Sequence, residues 1–416
     1  MERSGLRARF TAEALARSFS ALRVRDYRRW SLAQLLSGTG GAAAQIAMAW
    51  LVVELGGDGL ALGAVTGCMM LPTLVLGPVV GVLVDRFPRR TVLLVTAAAQ
   101  SLVAAALAAL AFTGGLRIWS LILLALLHGV AFAVDNPARQ LLVMDLVGRE
   151  RMTGAVSMNE IVINASRVLG PALAGLLLVV ADAGWCFVLA AAVFVPSIIV
   201  LSLLAPTRPE TTGSGSAGGE GGAWRFARRT PAVGATLLLA ACAAACFNIA
   251  VVVPLIVADV FHADGGTYGA LAMAFGLGAL PGAVFSATGP TMPRSGEVRA
   301  LALAMGAAVV LTAASPSLPP MFVGLALVGA TVMWFIARAN AFVMLSTPSA
   351  IRGRVMGLWA MALPGSSVLS GLAVGALADL TDPRLAFAIV GLVTIALAAV
   401  LWRSLRSQAT AGVSSP

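Results

Sequence analysis

The sequence predicts an all-α integral membrane protein of 12 transmembrane helices, arranged as two pseudo-symmetric six-helix bundles. Three observations carry that expectation. The 416 residues are 59% hydrophobic and 11% charged, with a mean hydropathy of +0.93, whereas soluble domains carry about 25% charged residues. The apolar residues fall into runs long enough to cross hydrocarbon, six before one polar break and six after it. The basic residues collect on alternate loops, which is the pattern that orients helices in a bilayer.

In chain order the first-half runs cover residues 30–54, 61–84, 91–113, 118–136, 155–181 and 184–204. The second-half runs cover 232–258, 267–288, 299–315, 320–343, 355–378 and 384–402. About 20 apolar residues at 1.5 Å each span the hydrocarbon, and a helix satisfies its own backbone groups there. These runs define a bundle at 30–204, a linker at 205–231, a second bundle at 232–404 and a tail at 405–416. Residues 1–29 hold eight arginines between apolar side chains. The run after them is too long for a signal-peptide core, so the segment reads as a retained cytoplasmic lead-in.

All 28 basic residues are arginine. Twenty-four lie on one set of loops and termini, and only Arg117 and Arg384 lie on the other; Arg167 and Arg338 fall within runs. The positive-inside rule then places both termini in the cytoplasm, in a multi-pass protein of the inner (plasma) membrane. The same rule accounts for the net charge of +10 without nucleic acid, since no basic face interleaved with aromatics or reader motif is present. The external turns, such as LGGDG, ADAGW, FHADGG and LTDPR, are short and built of Gly, Pro and Asp. The linker, with ETTGSGSAGGEGG, is of flexible composition.

An internal repeat relates the halves. Arg149, Arg151, Gly154 and Met158 recur as Arg352, Arg354, Gly357 and Met361 at a constant offset of 203. Parallel repeated six-helix halves are an architecture of secondary transporters.

The loop between the second and third runs reads Gly81-Val-Leu-Val-Asp85-Arg86-Phe-Pro88-Arg89-Arg90. It resembles the signature loop of the major facilitator superfamily, with Pro88 where glycine is usual. The resemblance implies that Asp85 latches onto the start of span eleven, while Arg86, Arg89 and Arg90 hold the loop among anionic lipid heads. Span five contains Ser166-Arg167-Val-Leu-Gly170-Pro171-Ala-Leu-Ala174-Gly175. This is similar to the antiporter motif of the same superfamily, in which small residues and a proline let the helix flex against a neighbour. In that family the motif accompanies exporters. Asn136-Pro137-Ala138-Arg139-Gln140 with RERMTGAVSMN and RGRVMGLW resembles the enterobactin-exporter and macrolide-efflux branch over residues 18–404. The span-four arginine motif of another drug-antiporter branch is absent, its place taken by Ala125.

Ionisable residues inside a membrane usually face a cavity or a partner. Glu160, Asn164 and Arg167 share one face of span five and climb from the cytoplasmic mouth to about 20 Å above Gly154. The repeat maps Asn164 and Arg167 onto Ser367 and Ser370, so the charge chemistry is expected in the first half. It also maps Asp135 onto Arg338, which suggests a latch pairing these two across the pseudo-twofold when the inner gate closes. His128 reads as a proton carrier or as a packing residue. Gln45 and Asn248 add amide contacts.

The expected function is efflux of a small amphipathic molecule (an antibiotic, siderophore or other natural product) by alternating access in antiport with protons. Arg167 would suit an anionic or metal-chelating product. The expected partners are the small-molecule substrate, protons and membrane lipids, with no nucleic acid, and the protein is expected to act as a monomer. No cofactor or metal is expected: only His128 and His262 are present, Cys242 and Cys246 have no neighbouring ligand, and without lysine no ATP-binding P-loop exists. The rival readings are uptake or uniport of a polar metabolite, which the span-five motif disfavours, and an intramembrane enzyme, for which no catalytic dyad or aspartate-rich motif is present.

Overall fold

In the computed structural model residues 22–204, 221–288, 292–348 and 351–406 are described. Most of the basic lead-in and tail, and the Gly/Ser part of the linker, lie outside them. The described residues form helices and no strand, and 12 helices are long and apolar enough to cross a bilayer. Spans one to three are Arg25–Glu54, Gly59–Arg86 and Arg89–Phe112; spans four and five are Ile118–Val147 and Met158–Val180; span six is Ala183–Ser202. The second half comprises span seven at Pro231–Val260, span eight at Gly265–Thr288, span nine at Ser295–Ala313, span ten at Leu318–Leu345, span eleven at Arg352–Leu380 and span twelve at Pro383–Val400.

Each expected run overlaps a span, with helices extending beyond the apolar stretch where polar residues cap or continue them. At the arginine-poor ends the turn aspartates do the capping. Asp58 accepts from the Ala61 N–H, Asp182 from Gly184, and Asp382 from Arg384 and Leu385. Asp264 accepts the N–H and hydroxyl of Thr267, both at 2.8 Å, and these bonds hold its carboxyl below the usual carboxylate range. A carboxylate at a helix start satisfies orphan donors and meets the positive end of the helix dipole. The Asp chemistry of these turns is therefore structural.

Helical backbone runs unbroken from Ile118 to Val180, yet the chain reverses within it. Ile118 lies beside the outer end of span one near Gly57, Arg139 reaches Gln34, Ala155 accepts from Tyr27, and Gly170 packs on Thr39. Spans four and five thus run down and back along span one. Spans seven and eleven depart from regular helices. Span seven breaks at Asn248 and widens over Ile256–Val260 just after Pro254, and span eleven widens over Met361–Gly365, which contains Pro364. Proline removes a ladder hydrogen bond, and one wide turn accommodates the loss. Within the linker, Gly221–Arg229 forms a short helix, a departure from the flexible stretch that composition suggests. Its buried Ala223 and Ala227 lie one turn apart, with Trp224, Arg225, Arg228 and Arg229 exposed.

The apolar core is divided unequally. One cluster joins both halves, including Trp50, Val52 and Leu62 from the first and Tyr268, Leu271 and Val374 from the second. A separate cluster of Tyr27, Trp30, Val84, Leu142 and Phe194 belongs to the first half alone, toward the arginine-rich face. Inside the second half, spans eight and ten approach at Gly278, where an added Cβ would lie 2.5 Å from the Ala326 carbonyl carbon. Gly278→Val is expected to lower the stability of the detergent-solubilised protein by about 1–3 kcal/mol, measured by thermal unfolding; an unchanged transition would contradict this packing.

Candidate functional site

The two halves meet tightly toward the arginine-poor face. Asp379, near the end of span eleven, accepts the Gly59 and Leu60 N–H groups at the start of span two, at 2.6 and 2.8 Å. The bond crosses between halves and uses the same attraction of carboxylate for helix N-terminus that caps the turns. Below it the backbones of spans two and eleven nearly touch, since a Cβ on Gly63 would stand 2.6 Å from the Gly371 carbonyl oxygen. Spans five and eight make the matching contact, Gly175 lying against Gly269. Trp50 of span one stacks on Tyr268 of span eight with ring centroids 6.2 Å apart, and donates to Glu54 at 2.8 Å. Tyr268 is fully buried, and its hydroxyl has no partner among the described residues.

Toward the arginine-rich face no hydrogen bond or ion pair joins the halves among the described residues. Arg352, Gly353, Arg354 and Gly357 at the start of span eleven are exposed, and a Cβ at either glycine would meet nothing within 4 Å. The described contacts thus form a seal at one face and leave the other apart. An apolar cleft of about 190 Å³ between spans five and eight, lined by Leu176, Val179, Ala270 and Met273, contains none of the expected site residues.

In the signature loop Arg86 is exposed, but Arg89 and Arg90 do not reach outward as expected. Arg89 is buried and paired with Asp145 at the end of span four. Arg90 donates to the carbonyls of Leu201, at 3.1 Å, and Ser202 at the end of span six. These arginines fasten spans three, four and six, because a cation at a helix C-terminus meets orphan carbonyls. The surroundings of Gly81 and the side chain of Asp85 lie outside what is described, so the latch expected of Asp85 has no geometry here.

The span-five residues take distinct positions. Glu160 is exposed; Asn164 is buried and donates through Nδ2 to the Glu160 carbonyl at 2.8 Å. Arg167 reaches into the second half, where its Nη1 lies 3.9 Å from Met333 Sδ on span ten and its guanidinium 5.8 Å from the Phe247 ring centre on span seven. Gly276 of span eight packs beneath its carbonyl. Gly170 packs against Thr39 and Ala42 of span one, while Pro171 offers its carbonyl to the Gly269 contact. Asn248 sits at the break of span seven and donates to the Ser367 carbonyl at 3.0 Å and Ser370 Oγ at 3.1 Å. Those serines are the repeat mates of Asn164 and Arg167. The offset of 203 also pairs Asn248 with Gln45, which is half-buried. His128 is buried on span four, beside the contact of Gly129 with Met69 of span two, which places it among packing helices.

The expected pairing of Asp135 with Arg338 is not formed. Asp135 pairs with Arg139 one turn along span four and accepts from Thr96 of span three at 2.9 Å, while Arg139 donates to Gln34 of span one at 2.5 Å. Arg338 grips both oxygens of Glu297 on span nine, at 2.6 and 2.8 Å. In this conformation, with the arginine-rich face apart, each charge has a local partner within its own half. Arg139 is itself an embedded residue and not the loop cation that sequence counting makes it; its i, i+4 spacing from Asp135 is the signal that identifies it.

Two outcomes follow from these contacts. With the four native cysteines replaced, Asp379→Ala should speed labelling of Thr66→Cys, on span two, by a membrane-impermeant maleimide at least about tenfold, the worth of one charged hydrogen bond. Equal rates would remove Asp379 from the seal. Glu297→Leu should cost roughly 3–5 kcal/mol in thermal stability by stranding Arg338, and exchanging the two charges should recover most of it. Recovery instead by exchanging Asp135 with Arg338 would reinstate the cross-half pair.

Comparison with known proteins agrees with this architecture. A family model described as "Transmembrane secretion effector" matches residues 16–415. The multidrug efflux pump Tap of Mycolicibacterium fortuitum is 28% identical over 88% of this chain and 93% of its own length. The enterobactin exporter EntS of Escherichia coli is 27% identical over 76% of each chain. The staphyloferrin A transporter of Staphylococcus aureus is 33% identical over a shorter stretch, 34% of this chain and 36% of that protein. Among solved structures, the nucleoside transporter NupG superposes with a TM-score of 0.72 at 13% identity, covering 92% of this chain and 99% of that one. A D-xylose-proton symporter gives 0.70 at 13% identity over 91% and 97%. The chain is a multi-pass membrane transporter, not an enzyme, and belongs to the transmembrane secretion effector family of the major facilitator superfamily.

Proposed function

We propose that this protein exports a small amphipathic molecule from the cytoplasm by alternating access, in antiport with protons. The observation that carries the reading is the distribution of contacts between the halves: sealed at the arginine-poor face, apart at the arginine-rich face, with Arg167 reaching across between them. The arginine-rich face is taken as cytoplasmic by the positive-inside rule, with both termini there and the protein in the plasma membrane. Substrate would then enter past exposed Glu160 and meet Asn164, Arg167, Gln45 and the Asn248 region. Rocking of the halves would break the Asp379 seal and release it outside.

Relatives named as a multidrug efflux pump, macrolide efflux proteins and an enterobactin exporter support export. The proton has three candidate carriers on the first half. Asp135 is held by Arg139 and Thr96, where protonation would free Arg139; Glu160 is exposed at the mouth; His128 is buried two turns from Asp135. Everted vesicles energised with an acidic lumen should accumulate the substrate, and collapsing the gradient should abolish accumulation. Accumulation that ignores the gradient would remove the antiport, and uptake by right-side-out cells would favour the importer reading instead.

A further inference from the structure

We propose that Arg167 and Asn164 form an acid-recognising subsite for a substrate that bears an ionised acid group and, about one helical turn away, a hydroxyl or N–H donor on an aromatic body. The proposal rests on reading the space between the halves as the substrate path, and it adds the chemistry of what is carried.

Arg139 and Arg338, the other arginines embedded in spans four and ten, each have a carboxylate partner. Among the described residues no carboxylate lies within ion-pair distance of Arg167, and Glu160 is two turns away and exposed. The neighbours of the guanidinium are a thioether and an aromatic ring, Met333 and Phe247. Neither neutralises a cation, and both suit the flat face of an arene. A guanidinium in this setting offers an anion a strong, directional, charge-assisted bond.

Asn164 supplies the second requirement. Its Nδ2 must be the atom facing the Glu160 carbonyl, because only the amide N–H group can donate there. That fixes Oδ1 as an acceptor, and Oδ1 is buried with no partner among the described residues, in a side chain 6% exposed. An orphaned acceptor repels a bare anion and welcomes a donor. It stands three positions before Arg167 on the same helical face, a rise of about 4.5 Å, so one ligand can reach both. The repeat-related positions in the second half are neutral and already occupied, since Asn248 binds Ser367 and Ser370. A cationic amphiphile would meet an unneutralised guanidinium here, so the pair selects for acids.

The test uses the full-length protein in lipid nanodiscs with labelled 3-hydroxybenzoate as probe, and unlabelled benzoate and 3-hydroxybenzylamine as competitors. Benzoate should compete about threefold more weakly than the probe, and the amine at least about tenfold more weakly. Arg167→Gln should weaken the probe at least about tenfold and Arg167→Lys less, while Asn164→Leu should bring the preference for the probe over benzoate from about threefold to about one. An amine that competes as well as benzoate, no binding of either acid to the wild type, or an Arg167→Gln variant that binds like wild type would each overturn the subsite. The wild-type competition decides the matter even if a variant fails to fold. Acid binding as described without accumulation of the probe in everted vesicles would end the export reading and keep the subsite. Export of a cationic amphiphile untouched by Arg167→Gln would keep export and end the subsite.

Discussion

A guanidinium in a medium that cannot hydrate it must be given a partner, and where those partners lie divides this molecule into parts that move and parts that do not. Asp135 with Arg139, Thr96 and Gln34 binds spans one, three and four. Arg89 with Asp145, and Arg90 with the end of span six, extend that fastening across the arginine-rich end of the first half. Glu297 with Arg338 does the same for spans nine and ten. Each pair is costly to break once buried, so the spans that each one joins hold together as one body. Between the bodies the described contacts are of another kind: glycine against glycine, stacked rings, one carboxylate on a helix start, and Arg167 against a thioether and a ring. Such surfaces part without breaking any ion pair among the described residues.

This division explains why the repeat is visible in sequence and yet chemically uneven. Duplication supplied Asp135 and Arg338 at equivalent places, and opposite charges there invite the idea of a pair across the axis. In this conformation Asp135 pairs with Arg139 of its own span and with Thr96 of span three, and Arg338 with Glu297 of span nine. The equivalence is of position, each charge stitching its half together, and the sign is free to differ because only the local partner must match it.

Much of the architecture was legible in the sequence because lipid enforces a strong signal: twelve apolar runs, short Asp- and Gly-rich turns and segregated arginines are what a bilayer demands and a water-soluble fold does not. The site was less legible. Arg139 looks like a loop cation until the helix is seen to carry it inward, and Glu297 lies just before an apolar run, where nothing marks it as the partner of a residue 41 positions on. Arg89 and Arg90 match a motif whose arginines suggest lipid contact, but their partners, Asp145 and the span-six carbonyls, are set by tertiary approach. The break at Asn248 carries no proline of its own. The stripe of Glu160, Asn164 and Arg167 could be read from spacing, whereas the soft neighbours of Arg167 could not.

The phenol of Tyr268 has a consequence for the speed of the cycle. In the closed face this ring stacks on Trp50, and its hydroxyl has no partner among the described residues. A missing bond of this kind is worth roughly 1–3 kcal/mol, set against the two hydrogen bonds that Asp379 makes nearby. The sealed state is therefore held less firmly than its packing alone would allow. A conformation that a carrier must leave on every turnover benefits from being a shallow well, and a buried phenol without a partner among the described residues makes it shallower.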